Sequence, residues 1–438
     1  PASSTSRDTT SSSCDLTFLW LGSFGKMDPK KKKPQPLFAA PLPRGPPTLF
    51  HAHVEKENLM EELDPNKKIK RVISGDVAIL AGPKGDDFLP EEYGQAFAQV
   101  TSLYPLNLKT SLREGDPICD SYRVHTTETG VVWCLADGCG WGPRPFQAAN
   151  RARDAFVSTV QAKINECKTH RDVGALLLNG LASAHYTTIH DKADAFMAGT
   201  TTALGGVIAR VDKQQGPEMQ DGLFVDDADA WVVIHVSVGD CKLFLYSVEH
   251  GTVSDLTSKN REEVEDAKDP GGRIGPYLGD GDPDLRNLAF GFAEAAEGDI
   301  LISVSDGVHD NLDPATIGMV PADLGLEGTE HADWKTAPKE SATRARTQHM
   351  CASIAKIISN LPRVNPALVA KSIVRHCQEV TEKSRDWMEQ NPDGILATQS
   401  YKEFPGKMDH CSCIAVRIGK PFSGDHKSQS LKPAIFPY

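Results

Sequence analysis

The sequence predicts an α+β fold on three observations. Short apolar runs, VVWCLA at 131–136 and ILISV at 300–304, have the length and composition of strands buried on both faces. Segments with one apolar stripe at helical spacing lie apart from them, at 147–164 and 172–188 and again at 347–359 and 366–380, where they would cover a sheet. With 438 residues there is ample material for one large domain or two ordinary ones.

Residues 1–66 are not expected to fold. PASSTSRDTTSSS is a low-complexity polar tract, and 29–47 combines a lysine run with seven prolines, so too little apolar surface is available to offset ordering. The expected organisation is a disordered extension over 1–66, one domain over 67–420 and a polar tail over 421–438. Met27 is a candidate start, and Lys30 to Lys33 is a solvated basic run or a nuclear-import patch. The apolar run 16–21 is short and lacks basic residues before it, which argues against a secretory signal.

Within the domain a first strand is expected over 72–80, and SLREGDPICDSYRV at 111–124 leads into a second. The helix at 147–164 carries Ala149, Ala152, Phe156, Val160 and Ile164 on its stripe; that at 172–188 carries Val173, Leu176, Leu177, Leu181 and Ala184. Strands follow at 200–211, 231–238 and 242–247, the last two joined by a hairpin turn at Gly239-Asp240-Cys241 that Asp240 would hold. Residues 254–288 are polar and glycine-rich. The long stretch 313–400 contains a charged loop at 320–340 and two helices marked by Met350, Ile354, Ile357 and Ile358, and by Val369, Ile373 and His376, with Pro362 and Pro366 as punctuation. A last strand covers 412–418.

Three of these strands meet aspartates. The run 131–136 stops at Asp137-Gly138, the run 300–304 at Ser305-Asp306-Gly307 with Asp310 four residues on, and Asp409 precedes 412–418. Asp-Gly after a strand is also an ordinary turn signal. Three acids at strand mouths suggest one shared acidic centre, and carboxylate oxygens suit Mg²⁺ or Mn²⁺, which in pairs hydrolyse phosphate esters. Gly138, Gly140 and Gly142 raise a nucleotide-binding alternative, but their GxGxG spacing does not meet the GxGxxG pattern.

In order along the chain, VWCLADGCGWG at 132–142, AGTTTALGGVIARV at 198–211, HVSVGDCKLFLYS at 235–247, ILISVSDGVHDNL at 300–312 and GKMDHCSCIAV at 406–416 resemble the motifs of the metal-dependent type 2C protein phosphatase family; CDSYRV at 119–124 is similar to its early Glu-Asp motif. The resemblance spans roughly 70–420. It implies a four-layer α-β-β-α sandwich, two mainly antiparallel sheets flanked by helices. It also implies Asp137, Asp306 and Asp409 as catalytic residues holding two Mg²⁺ or Mn²⁺ ions. Asp120 and the carbonyl of Gly138 would join the ligand set, Asp310 would serve a third, weaker site, and Arg113 would receive phosphate. Where the family has glutamate, Asn or Asp, and in many members histidine, this chain has Cys119, His410 and Cys139, with Asp116 as a substitute acid. His309 lies between Asp306 and Asp310. The stretch 254–288 would be a flap beside the cleft, with Arg273 and Arg286 as phosphopeptide contacts. The implied activity is hydrolysis of phosphoserine and phosphothreonine in proteins; the alternative is a catalytically inactive scaffold that binds a protein partner.

Composition bounds the rest. The formal charge of −12 disfavours nucleic acid and anionic membranes as partners. Ten scattered cysteines with no CxxC pair fit free thiols in a reducing compartment. Cys411 and Cys413 are taken to face opposite sides of their strand, and oxidation of Cys119 or Cys139 is expected to inhibit. The expectation is a monomer acting on phosphoproteins in the cytoplasm or nucleus.

Overall fold

The structure, a computed structural model, describes residues 63, 65–72, 78–82, 95–211, 230–258, 270–326, 333–392 and 401–420. The expected extension over 1–66 falls outside them except at residues 63, 65 and 66, and the tail over 421–438 lies outside them entirely.

The strands are β1 (Ala78–Gly82), β2 (Ala96–Ser102), β3 (Leu106–Asn107), β4 (Leu112–Arg113), β5 (Asp120–Thr126), β6 (Gly130–Asp137), β7 (Ala203–Arg210), β8 (Trp231–Val238), β9 (Lys242–Ser247), β10 (Thr252–Asp255), β11 (Ala289–Ala295), β12 (Ile300–Val304) and β13 (His410–Arg417). The helices are α1 (Pro143–Lys163), α2 (His170–Ile189), the single turn α3 (Asp306–His309), α4 (Lys339–Ser359) and α5 (Pro366–Gln390). Six strands form one sheet in the order β1-β5-β6-β7-β8-β11 and five form a second in the order β10-β9-β12-β13-β2. Every ladder among the described residues is antiparallel. That removes the nucleotide-binding alternative, which needs a parallel sheet.

Side-chain alternation explains the layers. On β6, Val132 and Cys134 pack under α1 and α2, while Val131, Trp133 and Leu135 enter the layer between the sheets. On β13, Cys411, Cys413 and Ala415 lie with Ile354, Val369, Ile373 and Cys377 of α4 and α5, and Ile414 and Val416 face the first sheet. The result is the expected α-β-β-α sandwich. Residues two apart on a strand share a face, so Cys411 and Cys413 point the same way, contrary to the expectation from sequence.

The helices obey their caps. Thr169 and Asp172 form a reciprocal capping box at the start of α2, and Asn365 caps α5 through Leu368 N at 2.8 Å with Pro366 following. Helix α1 begins at Pro143, four residues before the expected 147, because proline is pre-set for the first helical position. Helices α4 and α5 are longer than their apolar stripes suggested. The first strand, expected over 72–80, is described from Ala78. The hairpin expected at 239–241 is a crossover instead: β8 pairs with β7 and β11, whereas β9 pairs with β10 and β12 in the other sheet. Both strands are apolar on both faces, so local pattern does not reveal which sheet each joins.

Two buried charges give tests. Lys242 Nζ lies 2.8 Å from Asp255 Oδ2, and the side chains are 7% and 0% exposed. Burial would raise the Asp255 pKa, but Lys242 and Thr257 outweigh it and hold the carboxyl low. Lys242→Met would strand the carboxylate and is expected to cost about 3 kcal/mol in urea unfolding; a loss under about 1 kcal/mol would show the pair to be dispensable. His185 on α2 accepts from Gly275 N at 3.1 Å, and burial depresses its pKa to about 3. A histidine held neutral contributes stability above its unfolded pKa of about 6.5 that is lost as pH falls. The stability difference between wild type and His185→Gln is expected to shift by about 2 kcal/mol against wild type between pH 7 and 5; a constant difference would refute this.

Candidate active site

Strand ends of the two sheets supply the acidic centre. Asp120 and Asp137 are directly opposed where β5 and β6 pair, Asp306 opens α3 after β12, and Asp409 immediately precedes β13. The loops are held tightly. Thr202 N and the Thr201 hydroxyl both donate to Asp137 O at 2.8 Å, and Asp137 N donates to Thr202 Oγ1 at 3.0 Å, so the Gly-Thr-Thr segment fixes the end of β6. The glycines after the aspartates are needed for close approach: a Cβ on Gly307 would lie 1.9 Å from His410 O, and one on Gly138 2.6 Å from Pro145 O.

At the middle of this arrangement stands Lys407, which the sequence reading did not single out. Its Nζ lies 2.5 Å from Asp306 Oδ2, 2.9 Å from Asp310 Oδ2 and 3.1 Å from Asp409 Oδ2. Its backbone is gripped by Asn311, whose Oδ1 accepts from Lys407 N at 2.8 Å and whose Nδ2 donates to Lys407 O at 2.9 Å.

The carboxylates feel one another. Burial raises Asp137 well above the carboxylate range, with Asp120, Asp306, Cys241 and Asp409 adding to the shift. Burial and Asp306 push Asp409 up to about 7. Asp306 goes the other way: burial opposes ionisation, but Lys407 outweighs it. Asp120 is raised by burial; neither of its oxygens has a hydrogen-bond partner, although the hydroxyls of Ser412 and Ser305 nearby favour its ionised form.

Around this centre, Tyr104 donates to Asp409 Oδ1 at 3.0 Å and meets the exposed Trp141 edge to face at 5.0 Å. Arg113 donates to the carbonyl of Tyr104, so it stands one residue away from the carboxylates rather than among them. His309 is buried with Nδ1 3.1 Å from Asp310 Oδ1. Asp116 is exposed. His410 acts as a structural tie. Its Nδ1 accepts from Cys119 N at 3.3 Å and its Nε2 approaches Gly115 O at 2.9 Å, tying the 115–119 loop to β13. Burial pushes the Cys119 and Cys139 thiols up to about 12 and about 11, which disfavours their thiolate forms. Arg273 lies 4.3 Å over the Tyr277 ring and Arg286 3.3 Å from Asp284.

The donor chemistry fits a hard cation in part. Both Asp120 oxygens and Asp306 Oδ1 are buried without a hydrogen-bond partner, as unliganded metal donors would be. Against this, among the described residues no three His, Cys, Asp or Glu side chains converge as one ion's ligand set.

No model of a protein family matches the chain. A Drosophila melanogaster protein, the PP2C-like domain-containing protein CG9801, is 27% identical over 338 residues, covering 72% of this chain. The chain is thus similar to a PP2C-like domain. It spans only 44% of that fly protein's length. Weaker likenesses to solved structures include the photosystem II phosphatase PBCP, with 16% identity, 78% of this chain and 99% of that one covered, and a TM-score of 0.35. The Streptococcus agalactiae serine/threonine phosphatase has 13% identity, 74% and 100% coverage and a TM-score of 0.40. Such TM-scores add nothing to the topology described above. No helix among the described residues is long and apolar enough to cross a membrane.

The His410 clamp has a direct test. His410→Ala would leave the buried Cys119 N and Gly115 O without their partner and is expected to cost about 2 kcal/mol. Amide exchange should accelerate over 115–119 and not in β6; unchanged exchange at 115–119 would exclude the clamp.

Proposed function

We propose that this domain hydrolyses phosphoserine and phosphothreonine esters in proteins with the help of Mg²⁺ or Mn²⁺. The single observation that carries the reading is the grouping of Asp120, Asp137, Asp306 and Asp409 at strand ends of two opposed sheets, near enough to perturb one another's ionisation. Asp137, with Asp120 and the Gly138 carbonyl beside it, would hold the cation. A bound cation would lower the pKa of water and offset charge on the phosphoryl oxygens. The chain's own groups do the rest. Thr201 and Thr202 keep the end of β6 in register, and Lys407 presents positive charge beside Asp306. Tyr104 stays a donor because burial and the Asp409 charge raise its pKa, and it orients Asp409. Arg113 would meet phosphate only after releasing the Tyr104 carbonyl. The domain limits 67–420, action as a monomer, and a cytoplasmic or nuclear setting belong to the same proposal.

The second reading, a phosphatase-like scaffold without turnover, is favoured by Lys407 within the acidic cluster and by Cys119 where the family has an acid. Hydrolysis of a phosphothreonine peptide with and without Mn²⁺ separates the two. Metal-dependent turnover that falls at least about a hundredfold in Asp137→Asn is expected; absence of turnover in the wild type would leave the scaffold.

A further inference from the structure

We infer that Lys407 is a built-in cation that takes the place of one of the two divalent ions, so that the acidic centre admits at most one ion, on its Asp120–Asp137 side. The inference deepens the proposed function but concerns ion occupancy, which is measured without turnover.

On the Asp306 side Lys407 occupies the place of a cation, engaging three carboxylates and leaving Asp306 Oδ1 without a hydrogen-bond partner. Lys407 Nζ engages one oxygen each of Asp306, Asp310 and Asp409 at 2.5, 2.9 and 3.1 Å. Both oxygens of Asp409 are used, since Oδ1 also accepts from the Tyr104 hydroxyl at 3.0 Å and from His410 N at 2.9 Å. Asp310 is used on both sides as well, with His309 Nδ1 3.1 Å from its Oδ1. A Mg²⁺ or Mn²⁺ ion needs ligand oxygens at about 2.1 Å and several of them at once, so it could enter here only by expelling the ammonium.

The lysine is positioned by the backbone. Asn311 holds Lys407 N and Lys407 O, and its Nδ2 also reaches Gly307 O at 2.8 Å, linking the 406–409 loop to α3. Gly406, with φ of 90°, hydrogen-bonds through its N to Thr316 O at 2.8 Å; a Cβ there would lie 2.6 Å from Thr381 and 2.7 Å from Asn311. The side chain is only 22% exposed. The other side of the centre contrasts with this. Both Asp120 oxygens are buried without a hydrogen-bond partner, and Asp137 is opposed to Asp120 across the ladder, leaving donors there for one cation.

The test is calorimetric titration of the full chain with MnCl₂, paired with thermal unfolding in Mn²⁺ and in EDTA. Wild type is expected to bind no more than one ion. Lys407→Ser should bind one more than wild type and show a larger Mn²⁺-dependent rise in Tm, whereas Lys407→Arg, which keeps the charge, should gain none. Lys407→Met repeats the measurement if the serine variant does not fold, and if neither folds the wild-type stoichiometry decides. Two ions on wild type, or no gain in a folded neutral variant, overturn the inference. Loss of the phosphatase reading would show as absent turnover and leave these stoichiometries untouched.

Discussion

Like charges brought together out of water govern this domain. Five aspartates, 120, 137, 306, 310 and 409, gather where the strand ends of two sheets meet, and burial with mutual repulsion pushes Asp137 and Asp409 toward their neutral forms. Such a cluster persists only with compensating positive charge and hydrogen bonds. Lys407 answers part of that demand, Tyr104 and the His410 backbone another part, and both Asp120 oxygens remain without a hydrogen-bond partner. The fold therefore carries an electrostatic deficit by design of its topology, and that deficit is what makes cation binding plausible chemistry for it.

Precision in the centre comes from apolar layers. Trp133, Leu135, Leu204, Leu243, Ile414 and Val416 fill the space between the sheets, and each alternates along its strand with residues under the helices. Because adjacent side chains belong to different cores, a strand that slipped by one residue would put every side chain into the other core, where its shape is not matched. The aspartates at the strand ends inherit that register. Gly138 and Gly307 then let backbone pass within a distance that no Cβ would permit.

The departures from the phosphatase pattern have unequal meanings. His410 serves as a structural clamp between β13 and the 115–119 loop. Cys119 is a buried protonated thiol beside Asp120 and removes a charge from an overcharged place. Lys407 changes the character of the centre most, since it adds a fixed positive charge among three carboxylates. Its effect was not legible locally: a lysine in a Gly-Lys-Met-Asp turn reads as solvated until the chain returns from α3 to lie against it.

By itself the sequence determined the strands that are apolar throughout, the helices with one apolar stripe, and the aspartates at the ends of 131–136, 300–304 and before 412–418, because periodicity and turn chemistry act over a few residues. It did not reveal β2, β11 or the full length of α4 and α5, whose apolar positions are diluted by polar ones. Tertiary structure decided what local pattern leaves undetermined. It sent β8 and β9 to different sheets, turned Cys411 and Cys413 to one face, and drew Lys407 across more than ninety residues to Asp306 and Asp310. The physical reason is that strand partners and charge partners are chosen by burial and electrostatics between distant segments, which neighbouring residues do not encode.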